Sequence, residues 1–235
     1  MTARYAGNVY SAASAALIEP MEVLSHSIYL APVPLYAHLY ASDGLVIDAC
    51  SPFIKQTFRN RATIATECGE LNLTIPVIHD AGTVAMKDVR ISEHGNWRHK
   101  HWNALASAYR KSPFFDYYAN DFAHFYEERN GFLMDFNLRL HAVICELLGI
   151  EYNVRIADDK ESMKYTKDLR KIAEPGLLVT ACSIEPLPYY QVFGARNGFM
   201  PHLSIADLLF NMGPEALIVL RDMIKKNNSS DKTII

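Results

Sequence analysis

The stretch that most constrains this chain runs from Glu22 to Cys50. An apolar run, "EVLSHSIYLAPVP", closes on prolines that cannot donate to a ladder, so it predicts a buried strand ending at Pro32 and Pro34. "LYAHLYAS" follows as a short helix stopped by Asp43-Gly44, and "LVIDAC" predicts a second buried strand with Asp48 near its carboxyl end. Strand, helix and strand within about 30 residues is the spacing of a parallel crossover unit. The fold class that follows is α/β, with a mixed central sheet.

The next segments fill out that sheet. "LNLTIPVI" alternates at Leu71, Leu73 and Ile75, the polar "TECGE" before it predicts a hairpin, and "DVRIS" reads as a further strand. From Asn96 the period changes to that of a helix, and a helical segment over about 96–149 is predicted, inserted or packed on one side of the sheet. Asn96 is a candidate N-cap. Ser112 caps a second helix with Pro113 at its first position, and Gly149 ends a third whose stripe is Phe132, Phe136, Leu140 and Ile144. Beyond it, "YNVRIAD" reads as a strand, 158–173 as a charged helix, "PGLLVTACSIE" as a buried strand, and "SIADLLFNMG" and "PEALIVLRDMI" as closing helices.

Length and composition set the frame. A chain of 235 residues buries roughly 70% of its unfolded surface without staples, so one domain over 23–225 is expected. Residues 1–22 read as a loose extension and 226–235 as a disordered tail. The longest apolar runs fall far short of the roughly 20 residues that span a bilayer. The N-terminal segment lacks the continuous apolar core of a signal peptide, and four scattered cysteines read as reduced thiols, so a cytoplasmic protein is expected.

Within this acidic chain, with 23 basic and 26 acidic side chains, "FIKQTFRNRATI" gathers Lys55, Arg59 and Arg61 without an acid. Read as a strand, it puts those three on one face, as the cationic wall of a phosphate or carboxylate site, with Gln56 and Asn60 placed to read polar groups. A solvated, charge-guarded strand edge would look the same. Asp48, at a strand's carboxyl end, is the candidate general base or ligand contact; a turn-capping role is as common. Between Lys87 and Lys111 six basic residues face two acidic ones, and His99 and His101 join the candidate phosphate contacts. His94, His99 and His101 have no Cys or carboxylate at ligand spacing beside them, so no metal site is predicted. In "CSIEPLPYYQVFGARNGF", Tyr190 and Arg196 are placed to close over a ligand.

No P-loop, GxGxxG, GxSxG or HExxH pattern occurs, and the residues name no cofactor. The mild acidity and absence of a recognised module argue against nucleic acid. "FFDYYANDFAHFY" packs seven aromatics into thirteen positions, either as core or as an interface for another copy or a pathway partner.

Taken together, "PLYAHLYASDGLVIDACSPFIKQTFRNRATI", "LNLTIPVI", "DVRIS" and "SPFFDYY" resemble the WbqC-like proteins of bacteria, from about His26 to Ile150. That family's signature, Lys-x-x-aromatic-Arg-Asn-Arg, falls on Lys55, Phe58, Arg59, Asn60 and Arg61, and the chain resembles a divergent branch. The resemblance implies a cytoplasmic protein of surface polysaccharide (O-antigen) synthesis that handles sugar nucleotides or carrier-linked groups. A transferase acting on a nucleotide-linked sugar or related phosphorylated metabolite is the expectation. The alternatives are a non-catalytic partner in a polysaccharide assembly and a nucleotidylyltransferase, whose α/β opening the strand, Pro-bearing loop and helix also resemble.

Overall fold

A computed structural model describes residues 21–78, 82–129, 131–159 and 167–230. The crossover unit forms as its spacing predicts. β1 (Glu22–Ser25), α1 (Val33–Tyr40) and β2 (Gly44–Asp48) follow one another, and the two strands pair in parallel from Glu22 opposite Gly44 to Ser25 opposite Ile47. β1 is shorter than the sequence suggests. After Ser25 the chain leaves the ladder, and His26 to Pro32 form a buried loop in which Leu30 adopts a left-handed φ of 42°, a conformation that breaks strand geometry.

β3 (Arg61–Thr66) and β4 (Gly69–Thr74) form the predicted hairpin as a separate antiparallel sheet. Most of the basic stretch is not strand, because Lys55 to Asn60 fold as turns and only Arg61 onward joins β3. The cause is local. Gln56 sits at φ 61°, the Thr57 hydroxyl donates to the Ile54 carbonyl at 2.8 Å, and the Asn60 amide donates to the Thr57 carbonyl at 3.3 Å. Such bonds offer the backbone an alternative to a ladder. "DVRIS" is likewise no strand, and contributes only the isolated bridges Val77–Ile91 and Arg90–Phe132.

α2 (Trp97–Tyr109), α3 (Phe115–Glu127) and α4 (Leu133–Leu148) fall within the predicted helical segment. Asn96 precedes α2 but makes no side-chain cap. Ser112 and Pro113 lie in the turn before α3 rather than capping it, while Gly149 closes α4 in the left-handed region. β5 (Val154–Ala157) and β6 (Lys167–Asp168) add the remaining parallel strands. The described part of 158–173 holds β6 and a short turn of helix at Arg170–Ala173, not a continuous charged helix. "PGLLVTACSIE" is helical, ending in α5 (Leu178–Cys182); periodicity alone does not separate a short apolar strand from a buried helix. α6 (Gly194–Asn197), α7 (Ile205–Met212) and α8 (Ala216–Ser230) close the fold. α8 takes up the first part of the expected tail, and residues 1–20 and 231–235 lie outside the described residues.

The sheet order is β5–β2–β1–β6, with every pair parallel. Counted along the chain this is third, second, first, fourth, the order that opens the doubly wound nucleotide-binding sheets. The winding reverses between β1 and β6, and in such sheets ligands sit outside the carboxyl ends of the strands at that reversal. α1 is buried from Val33 to Leu39 and packs on α7 and α8. Tyr109 of α2 and Phe115 and Phe122 of α3 meet Phe210 of α7 in the core, where Phe125 of α3 packs on Phe136 of α4. Most rings of the aromatic run are thereby core, although Tyr117 is 77% exposed. Among the described residues, no helix is long and apolar enough to cross a membrane.

Candidate functional site

At the winding reversal the carboxyl ends of the strands face a cavity of about 480 Å³ lined by His26, Ser51, Arg59, Asp168, Arg170 and Glu174, among others. His26 follows β1 directly, Asp168 ends β6, and Ser51 lies three residues past β2. Arg59 arrives from the turn before β3, and backbone bonds fix it there. The Phe58 amide donates to the Ala173 carbonyl at 2.7 Å and the Tyr29 amide to the Phe58 carbonyl at 2.9 Å, while Asn137 Nδ2 donates to the Arg59 carbonyl at 2.8 Å. The turn is thus stitched to the loop after β1, to the segment after β6 and to α4.

Arg59 is 2% exposed. Its Nη1 donates to Thr57 Oγ1 at 3.2 Å, its Nε has no partner, and among the described residues it forms no ion pair. Burial pushes its pKa down, opposed by Glu174 and Asp48. A guanidinium stays protonated regardless, so a full positive charge sits enclosed without a bound counter-charge, at a cost of several kcal/mol. His26 lies beside it, buried, with Nδ1 unpartnered. Burial first, and Arg59 second, lower the His26 pKa to about 4, which keeps the imidazole neutral at neutral pH. The flanking hydroxyls of Ser25 and Ser27 are buried without partners as well. Buried polar groups are rarely left unmade, and of these three residues His26 alone lines the cavity.

Arg170 braces the mouth. It donates from Nη1 to Asp48 Oδ2 at 2.9 Å and from Nη2 to Asp168 Oδ2 at 2.7 Å, spanning from the end of β2 to the end of β6 across β1. Hydrogen bonding to Asp168 raises the Arg170 pKa. For Asp48 and Asp168 burial acts upward, but hydrogen bonds from Ser51 and Arg170 to the former and from Arg170 to the latter hold both carboxyls below their ordinary values. Asp48, fully buried, also accepts from the Cys50 and Ser51 amides at 3.1 and 2.9 Å and from the Ser51 hydroxyl. It is a saturated turn-capping carboxylate that orients Arg170, rather than Arg59 or Lys55.

Of the residues singled out from sequence, Arg59 alone lines this cavity, with Asp48 behind it. Lys55 is exposed over a smaller hollow with Asp88 and Arg90, and Gln56 is exposed in its turn. Asn60 is buried and donates to the Ile75 carbonyl at 2.8 Å, and Arg61 is half-buried on β3. His99 is exposed on α2, and His101 is buried against the Tyr29 hydroxyl at 3.0 Å. That same hydroxyl meets Tyr126 at 2.8 Å. Tyr190 is exposed, and Arg196 is paired with Glu67 of the β3–β4 turn; neither Tyr190 nor Arg196 lines the cavity. Among the described residues no three His, Cys, Asp or Glu side chains gather as metal ligands. Sequence reading missed His26, Asp168 and Arg170. A His between two serines at the end of an apolar run was the available signal for the first; the other two were hidden in a segment read as helix.

The model of the WbqC-like protein family matches residues 27–174, which contain every lining residue named above except His26. The chain belongs to the WbqC-like family. It is similar to the uncharacterized protein Rv1507c of Mycobacterium tuberculosis, with 29% identity over 206 residues, covering 76% of this chain and 88% of that protein. No solved structure matches the chain significantly. The family match ends at Glu174, so α5 to α8 lie beyond it.

Proposed function

We propose that this WbqC-like protein is a transferase that takes a nucleotide-linked sugar or related phosphorylated metabolite in surface polysaccharide (O-antigen) synthesis, with the ligand's phosphate on Arg59. The reading rests on one observation, a 2% exposed guanidinium without a bound counter-charge in a cavity at the winding reversal. A phosphate would supply the missing charge and acceptors for the idle N–H. Arg59 would then stabilise charge gathering on a departing phosphate, while the neutral imidazole of His26 could take the proton of an incoming hydroxyl or amine. The third–second–first–fourth strand order favours a second reading, a nucleotidylyltransferase, which predicts pyrophosphate release from a nucleoside triphosphate with Mg²⁺.

Melting of the full chain against nucleotides, nucleotide sugars and inorganic phosphate tests the site. A ligand at one hundred times its Kd stabilises by about 2.7 kcal/mol. The shift is expected in the wild type and in Arg196→Ala, and is expected to vanish in Arg59→Ala. Equal shifts in wild type and Arg59→Ala would refute the assignment.

A further inference from the structure

A second cavity, of about 490 Å³, lies on the α2–α3 face and shares no lining residue with the first. Its wall is aromatic. Trp97 and Tyr126 are buried and Trp102 half-buried, and the Trp102 and Tyr126 rings lie 27° from parallel with centroids 6.1 Å apart. Its charged groups come in both signs, Arg98 and Arg129 against Glu93 and Glu127. Arg98 lies over the Trp97 ring at 4.7 Å and pairs with Glu93 through both terminal nitrogens, the Nη2 contact at 2.9 Å. Two enclosed donors are nevertheless idle, the indole Nε1 of Trp97, 4% exposed, and Nε of Arg98, 8% exposed.

These features select among guests. With carboxylates matching guanidiniums the wall makes no net demand for an ion, and a phosphate would face Glu93 and Glu127. Idle N–H donors beside carboxylates call for a group that both accepts and donates, which is what a hydroxyl does. Aromatic walls call for an apolar face on the same molecule. A ring with C–H faces and a hydroxyl edge meets all three conditions; a nucleobase, whose edge also donates and accepts, is the competing guest that the titration separates. We infer that this cavity is a binding site for a neutral sugar ring, separate from the Arg59 cavity and independent of the reading given to it.

Trp97 and Trp102 are the chain's two tryptophans, and both line this cavity, so tryptophan emission, excited at the red edge where tyrosine does not absorb, reports on it. The full chain is titrated with glucose, galactose, N-acetylglucosamine and rhamnose, with adenosine and uridine, and with inorganic phosphate. A saturable emission change with at least one sugar is expected, matched by saturation transfer to that sugar's protons in NMR. It is expected to persist in Arg59→Ala, to disappear by NMR in Trp102→Ala, and to weaken about tenfold in Glu127→Gln, the loss of one charge-assisted hydrogen bond. Glu127 is exposed, so Glu127→Gln keeps the fold if Trp102→Ala does not. No response to any sugar, a response only to nucleosides or phosphate, or sugar binding unchanged in Glu127→Gln would overturn the assignment.

Discussion

Arg59 and Arg98 are both nearly enclosed, at 2% and 8% exposure, yet their surroundings treat them in opposite ways. Arg98 lies on an indole and shares its terminal nitrogens with Glu93; Arg59 has one neutral hydroxyl and no ion pair among the described residues. Enclosing a charge with its partner balances the loss of water against an attraction inside the chain. Enclosing one without an ion pair leaves more of that loss standing, and for Arg59 the charges of Glu174 and Asp48 act against it without a direct contact. The first arrangement leaves no charge for a guest to match and the second leaves one, although the two cavities are nearly equal in volume.

The contrast is open to attack by substitution. The largest effect is expected where one buried carboxylate serves several donors. Asp48→Ala leaves the Cys50 and Ser51 amides and the Ser51 hydroxyl without their acceptor and Arg170 with Asp168 alone, and should cost about 3–5 kcal/mol in urea unfolding, at about 1–3 kcal/mol for each buried donor left unmet. Next, Arg59→Met should raise the stability of the ligand-free protein by about 1–4 kcal/mol while erasing its response to phosphorylated ligands, whereas Arg98→Ala should lower stability by about 1 kcal/mol through the lost cation–π contact. Calorimetric melting of both reads the sign. If Arg59→Met is destabilising without ligand, the idle charge was serving the fold.

Acid provides a subtler test. The His26 pKa is lowered to about 4, so the unfolded chain binds its proton more readily and stability is complete only above about pH 6.5. Stability should fall as pH drops from 6.5 towards 4, and His26→Gln should flatten that slope by its own share, measured as urea midpoints across the range. His38, His101 and His141, lowered to about 4 by burial, add slopes of the same sign. The smallest effect belongs to Lys55→Ala. This exposed side chain should change stability by no more than about 0.5 kcal/mol and leave phosphate-induced melting shifts intact.

The crossover unit was readable because its apolar runs, prolines and Asp43-Gly44 turn all agree locally, and α4 because its stripe and Gly149 do. The basic stretch misled because alternation along Lys55, Thr57, Arg59 and Arg61 counts side chains and not backbone bonds, and the hydroxyl of Thr57 bends that backbone into turns. Arg59 stood out by charge. Nothing local shows that Arg170, more than a hundred residues later, takes the carboxylate of Asp48 and so leaves Arg59 unmatched. That division of partners belongs to the strand order, which brings β6 beside β1.

The Tyr29–Tyr126 hydroxyl link has a consequence for any two-substrate chemistry. Tyr29 stands three residues past His26, and Tyr126 walls the aromatic cavity, so one pair of oxygens 2.8 Å apart ties the buried loop after β1 to the side of that cavity. Any coupling carried through that pair would act equally in both directions, whichever cavity is filled first.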